Sequence, residues 1–252
     1  DGCVVLEVEA KNDRENPSHI EPFSWAMKKQ GGGVFIAFTE DALSAGEGFL
    51  LLPGEWSDSI RRPLKNDRGT QDYLFRIKMI PGNAPGMFAV YITSAMDLNA
   101  AAAPPAFAER LSGMKNIPTD NFYGRFLVRE GNLDTALECT AFDFGWHKEV
   151  ILDAAENDPF DILVTYHPQL DSVNHMYRSV FEGVAPASDA EKATAAEAFE
   201  RTYRQADDFL LGLYDHVIGP DTLLLIVSDH GAVGFNRILN PLDALEKAGL
   251  AV

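Results

Sequence analysis

The chain has 252 residues, 46% of them apolar and 23% charged, the make-up of a globular protein with a real core and room for one large domain or a core plus a smaller module. Acidic residues outnumber basic ones 38 to 21, and the resulting net charge of −17 argues against nucleic acid or an anionic membrane as partner, because both need clustered Lys and Arg. The longest apolar runs, such as LLLIV at 223–227, fall far short of a membrane span.

Residues 1–30 are read as a lead-in segment. The opening DGCVVLEVEA has the character of chain interior rather than of a natural start, and it carries no targeting pattern. The expectation is a soluble protein whose compartment is open, periplasm and cell exterior included. Cys3 and Cys139 pair only if the fold brings them together, and two such distant cysteines say little about compartment.

Residues 31–134 read as a β-rich module, a cap or an insertion. Strands are predicted at 34–38, 49–53, 73–80, 87–94 and 122–128, with turn punctuation between them in QGGG, SAGEG and PGNAPG. In the third, Phe75, Ile77 and Met79 alternate with Arg76 and Lys78, the period-two pattern of a strand with one wet face. The GGG at 31–33 lacks the downstream Lys-Ser/Thr of a phosphate loop and is read as a turn. The stretch at 99–110 is read as a loop entering a short helix.

From 135 to 252 the pattern becomes that of an α/β core. A helix is predicted from Trp146 to Ala155, with His147 near its start, and then a strand buried on both faces from Phe160 to Tyr166. Ser188 and Glu191 form a capping box ahead of a long helix. Along it Ala195, Phe199, Tyr203, Ala206, Leu210, Leu213 and Val217 recur as an apolar stripe, and His216 lies in the last turn. Gly219-Pro220 ends that helix, TLLLIV at 222–227 reads as a second buried strand, and a final helix is expected from Pro241 to Ala248. Strand–helix–strand in this order predicts a parallel sheet, with the C-terminal strand ends opening on one edge, where ligands collect.

Two chemistry-bearing motifs sit at those strand ends. YHPQLDSVNH holds Asp171 and His175, which share a helix face if they lie in a helical turn. VSDHGAVG holds Asp229 and His230, with Gly231 read as the residue that lets the backbone turn beside them. A hard carboxylate oxygen with an imidazole nitrogen suits Zn²⁺ and tolerates Mn²⁺ or Fe. Singly, an Asp after a strand is often a helix cap and a His near a core is often a hydrogen-bonded structural group. The doubling of the pair at one sheet edge favours the metal reading. His167 is read as a strand-end residue or a site-lining one, and His19 as part of a polar loop.

The segments LVTYHPQLDSVNH and LLLIVSDHGAVG, with the helix bearing Tyr203 and Asp207 and the NPLDALEKAGL that follows, resemble the type I phosphodiesterase and nucleotide pyrophosphatase family of the alkaline phosphatase superfamily. The resemblance covers roughly residues 135–252. It implies a partial alkaline-phosphatase-like parallel core and hydrolysis of phosphodiester or pyrophosphate bonds in small, nucleotide-type phosphorylated substrates. It further implies two divalent metal ions, expected to be zinc, that clamp an in-line displacement. Asp171 and His175 would ligate one metal and Asp229 and His230 the other, and Tyr166 matches an aromatic that stacks on substrate. Phosphonate hydrolysis, monoester hydrolysis, sulfatase and phosphomutase chemistry are the alternatives within the superfamily. The family's N-terminal metal-binding Asp, its Thr or Ser nucleophile and a further ligand His have no counterpart in this sequence. An internal fragment, inactive alone, is therefore expected, and a non-catalytic module is the competing reading.

Overall fold

A computed structural model of the chain describes residues 4–8, 20–21, 23–82, 87–97, 102–119, 132–158, 160–237 and 245–249. The chain divides into two compact units, Asp1–Asp120 with Gly145–Val150, and Asn121–Phe144 with Ile151–Val252. No described helix is long and apolar enough to cross a membrane.

The first unit is built of antiparallel strands. β1 (Val4–Val8), β2 (Phe23–Gln30), β3 (Gly33–Ala37) and β4 (Phe49–Leu51) form one sheet in that order. Gly31 and Gly32, with φ of 56° and 82°, make the two-residue turn between β2 and β3 that alternating strands of this hand prefer. The helix α1 (Glu40–Ala45) follows, capped by the Thr39 side chain. β5 (Ile60–Asn66), β6 (Gly69–Phe75) and β9 (Met96–Asp97) form a second sheet, and β7 (Ile77–Pro81) pairs with β8 (Phe88–Ile92). Trp25, Val34, Ile36, Tyr73, Phe75 and Ile77 are almost fully buried at the centre of this unit. Its last described element, α2 (Pro105–Ser112), carries Pro at N1, where a missing N–H does no harm.

The predicted strand at 73–80 is in fact two strands that part at Arg76, and its expected wet face is buried. Arg76 and Lys78 are 9% and 5% exposed. The Arg76 N–H donates to the Thr93 hydroxyl, and its guanidinium donates to the carbonyls of Ser57 and Lys115. The Lys78 ammonium lies 5.6 Å from the centre of the Trp56 ring. Period-two reading assigned these positions to solvent because it has no way to see partners far off in sequence. The strand expected at 122–128 lies outside the described residues, as do His19 and Cys3. Cys139 is buried.

In the second unit, helices dominate. α3 (Leu133–Asn157) starts thirteen residues before the predicted Trp146 and is capped by the Asn132 side chain. Thr135, Thr140 and Gly145 weaken its local propensity, and burial of Ala136, Leu137, Thr140, Phe144 and Ile151 along one stripe compensates. His147 therefore lies mid-helix rather than at a start, and burial holds its pKa below the usual histidine range. α4 (Gln169–Phe181) and α5 (Asp189–His216) pack together through Val173, Tyr177, Ala195, Ala198 and Phe199. The α5 capping box of Ser188 and Glu191 is present in both directions. Its buried stripe is rotated slightly from the predicted one: Thr202 and Phe209 are buried, whereas Tyr203 is 48% exposed.

The two segments expected to be parallel core strands are unpaired. Residues 162–167 and 222–228 join no ladder, and Val164 and Val227 are 87% and 88% exposed. A strand buried on both faces needs a hydrogen-bonded neighbour and a layer on each side; among the described residues none stands beside them. Of the final helix, residues 245–247 are helical.

Candidate active site

The site is built on α4 and on the loop after residue 227. α4 opens at Pro168 without a side-chain cap, and Asp171 sits in its first turn, where a carboxylate complements the helix dipole. One turn on, His175 Nε2 lies 3.2 Å from Asp171 Oδ2. The conditional expectation that residues 171–175 form a helical turn is met, and the pair shares one face of α4.

The second pair is held by a net of local bonds. The Ser228 hydroxyl donates to the His230 carbonyl at 2.6 Å, and the His230 N–H donates to Asp229 Oδ1 at 3.0 Å. His230 Nδ1 lies 3.0 Å from the Gly231 carbonyl, and Nε2 lies 3.5 Å from Asp229 Oδ2. A carbonyl beside Nδ1 favours the proton there in neutral imidazole and leaves the lone pair on Nε2, which faces the Asp229 carboxylate.

The His230 imidazole is held above the usual histidine range first by the Gly231 carbonyl, then by the Asp229 carboxylate, and least by the Asp171 carboxylate. Among the described residues no paired sheet carries the two loops.

A second connection was not legible in the sequence. The Gly234 N–H donates to Glu182 Oε2 at 2.8 Å and the Phe235 N–H donates to Ser179 Oγ at 2.9 Å. Glu182 is itself paired with Arg178 at 2.6 Å. The Gly234 bond and then Arg178 hold its carboxyl below the usual range. A Cβ on Gly234 would stand 2.8 Å from Glu182 Oε2 and 3.1 Å from the Ser179 Cα, so the loop backbone approaches α4 closely here. Gly231, expected to let the backbone turn sharply, has no positive φ and open space around it.

Tyr166 is 63% exposed in the unpaired segment ahead of α4. His167 turns inward instead of marking a strand end. Its ring stacks on Phe144 at 5.5 Å and tilts against Phe209 at 4.3 Å, and Nε2 meets the Thr165 hydroxyl at 3.0 Å.

The donor chemistry of each pair fits a divalent metal of the zinc type, one carboxylate oxygen with one imidazole nitrogen, partly exposed and 3.2 Å and 3.5 Å apart within the two pairs. Their number is short, since no group of three or more His, Cys, Asp or Glu suited to one metal occurs among the described residues. A catalytic zinc takes about three protein ligands.

The family model described as Type I phosphodiesterase / nucleotide pyrophosphatase matches residues 87–251, a span that includes both pairs and the loop clamped to α4. Comparison with curated proteins and with solved structures gives no significant match. A family of this kind carries hydrolase activity on phosphodiester and pyrophosphate bonds. The chain belongs to the type I phosphodiesterase/nucleotide pyrophosphatase family.

Proposed function

We propose that this chain contributes the Asp171–His175 and Asp229–His230 ligand pairs to a metal-dependent hydrolase of phosphodiester or pyrophosphate bonds, with small nucleotide-type substrates. The observation that supports the reading is the bonding of the loop that follows Asp229 and His230 to α4, the helix that bears Asp171 and His175, through the Gly234 and Phe235 amides.

Two divalent ions, zinc by donor type, would supply Lewis acidity at the phosphoryl oxygens and activation of the attacking group. The protein's own part is orientation and selection. Asp171 holds His175 by the 3.2 Å contact, and the Gly231 carbonyl favours one His230 tautomer. Tyr166 presents an aromatic face to a base five residues ahead of Asp171. The segments 160–166 and 222–227 are, in this reading, strands of an alkaline-phosphatase-like parallel core, as their largely apolar character suits.

Ligand number favours a second statement about the chain by itself. With two donors per metal it binds zinc weakly and does not turn over. Mass spectrometry of the purified chain is expected to find well under two equivalents of zinc; two tightly held ions contradict that. Hydrolysis of a chromogenic thymidine phosphodiester, set against the matching monoester, tests substrate class on a protein that carries the complete ligand set. Asp229→Ala or His175→Ala is expected to remove the activity, and unchanged rates overturn the ligand assignment.

A further inference from the structure

α4 carries more than the first ligand pair. Asp171, His175, Arg178, Ser179 and Glu182 stand at i, i+4, i+7, i+8 and i+11, which places all five on one stripe of the helix. From Asp171 to Glu182 that stripe runs about 16 Å at the rise of an α-helix. The motif loop touches the stripe near its finish, where the Gly234 and Phe235 amides donate to Glu182 and Ser179. Only three residues separate His230 from Gly234.

We infer that Ser179 and Glu182 are positioning residues: they clamp the backbone at Gly234 and Phe235 to α4, so that the helix bearing Asp171 and His175 also fixes the placement of Asp229 and His230. The inference rests on the reading of the two pairs as metal ligands only for what is positioned, not for the clamp. Arg178 neutralises the clamp's charge and holds the Glu182 side chain in the acceptor position at 2.6 Å. The absence of a side chain at Gly234 is part of the device, since a Cβ there displaces Glu182 Oε2 or the Ser179 backbone. A helix is stiff, and bonding the loop to it through two successive backbone amides limits how far the loop side chains a few residues away can stray.

The test uses hydrogen exchange by NMR on the intact chain, with zinc titration as a second readout. Glu182→Ala, Ser179→Ala and Gly234→Ala are expected to speed exchange of the Gly234 and Phe235 amides about tenfold and to weaken Zn²⁺ binding several-fold. Glu182→Gln keeps an acceptor and restores much of both. Arg204→Ala, which removes an exposed ion pair with Glu200 further along α5, is the control that changes neither. Unchanged exchange at Gly234 and Phe235 overturns the clamp. Faster exchange with unchanged zinc affinity overturns its positioning role. If the wild-type chain binds no zinc, the metal reading fails by itself, and the positioning inference is then judged by the Asp229 and His230 amide resonances. Their movement in Glu182→Ala supports it, and their constancy sinks it.

Discussion

The two units treat apolar sequence in opposite ways. In the β-rich unit the hydrophobic residues find partners so completely that Phe75 and Ile77 are fully buried and even Arg76 and Lys78 are covered. In the helical unit two apolar stretches, 162–166 and 222–227, stand open to solvent, while amphipathic helices with modest apolar content pack well. The contrast teaches that hydrophobic pattern states the surroundings a segment suits, whereas burial depends on whether neighbours with matching edges and faces are there. Antiparallel strands joined by short turns bring their own neighbours along the chain. Parallel strands need theirs delivered from elsewhere.

That difference is open to attack by mutation. The largest effect is expected for Phe75→Ala, about 3–5 kcal/mol off the stability of the β-rich unit by urea unfolding, from lost burial and the cavity left behind. The same deletion at Val227 or Val164 is expected to stay within about 0.5 kcal/mol, the usual range for exposed sites; a loss comparable to Phe75→Ala would break the comparison. Next comes Arg76→Met, at about 1–3 kcal/mol, because the Ser57 and Lys115 carbonyls lose their donor inside the unit. Ser188→Ala removes a capping box from α5 and is expected to cost about 1 kcal/mol of the helical unit's stability, read as an earlier loss of ellipticity on heating.

The smallest effect concerns pH. Glu182 and Glu191 both have carboxyl pKa values below the ordinary range, the first through the Gly234 N–H and Arg178, the second through the Ser188 hydroxyl and N–H. A group whose folded pKa is depressed adds stability that is present above its unfolded pKa and disappears as pH falls through the folded one. Acidification below the usual glutamate range should therefore loosen the Gly234 contact and the α5 start together. The measurement is amide exchange as a function of pH, and Glu182→Gln should flatten the response at Gly234 while leaving that at Glu191 intact.

Local rules read much of this molecule well. The β2–β3 turn, the α5 cap and the helical turn at 171–175 all follow from spacing and residue type. The misreadings share a cause. The long start of α3 depends on tertiary burial of a stripe that Thr135, Thr140 and Gly145 disguise. The burial of Arg76 depends on carbonyls 19 and 39 positions away. The tight glycine of the site is Gly234, because its crowding comes from Glu182, 52 positions earlier. Sequence pattern reports what a segment does to its own backbone and faces; it is silent on which distant atom arrives.

The unpaired run TLLLIV carries a last consequence, for how copies of the chain behave in solution. Its six residues hold no charge and no proline, they have strong β preference, and they expose backbone donors and acceptors without a ladder, the combination that promotes edge-to-edge stacking of identical strands. The force that holds copies apart is the net charge of −17, a long-range repulsion that shrinks with the Debye length, from about 30 Å at 10 mM salt to about 8 Å at physiological strength. Colloidal stability of this chain is thus tied to ionic strength: dilute buffer keeps it dispersed, and added salt uncovers the stickiness of its bare strands.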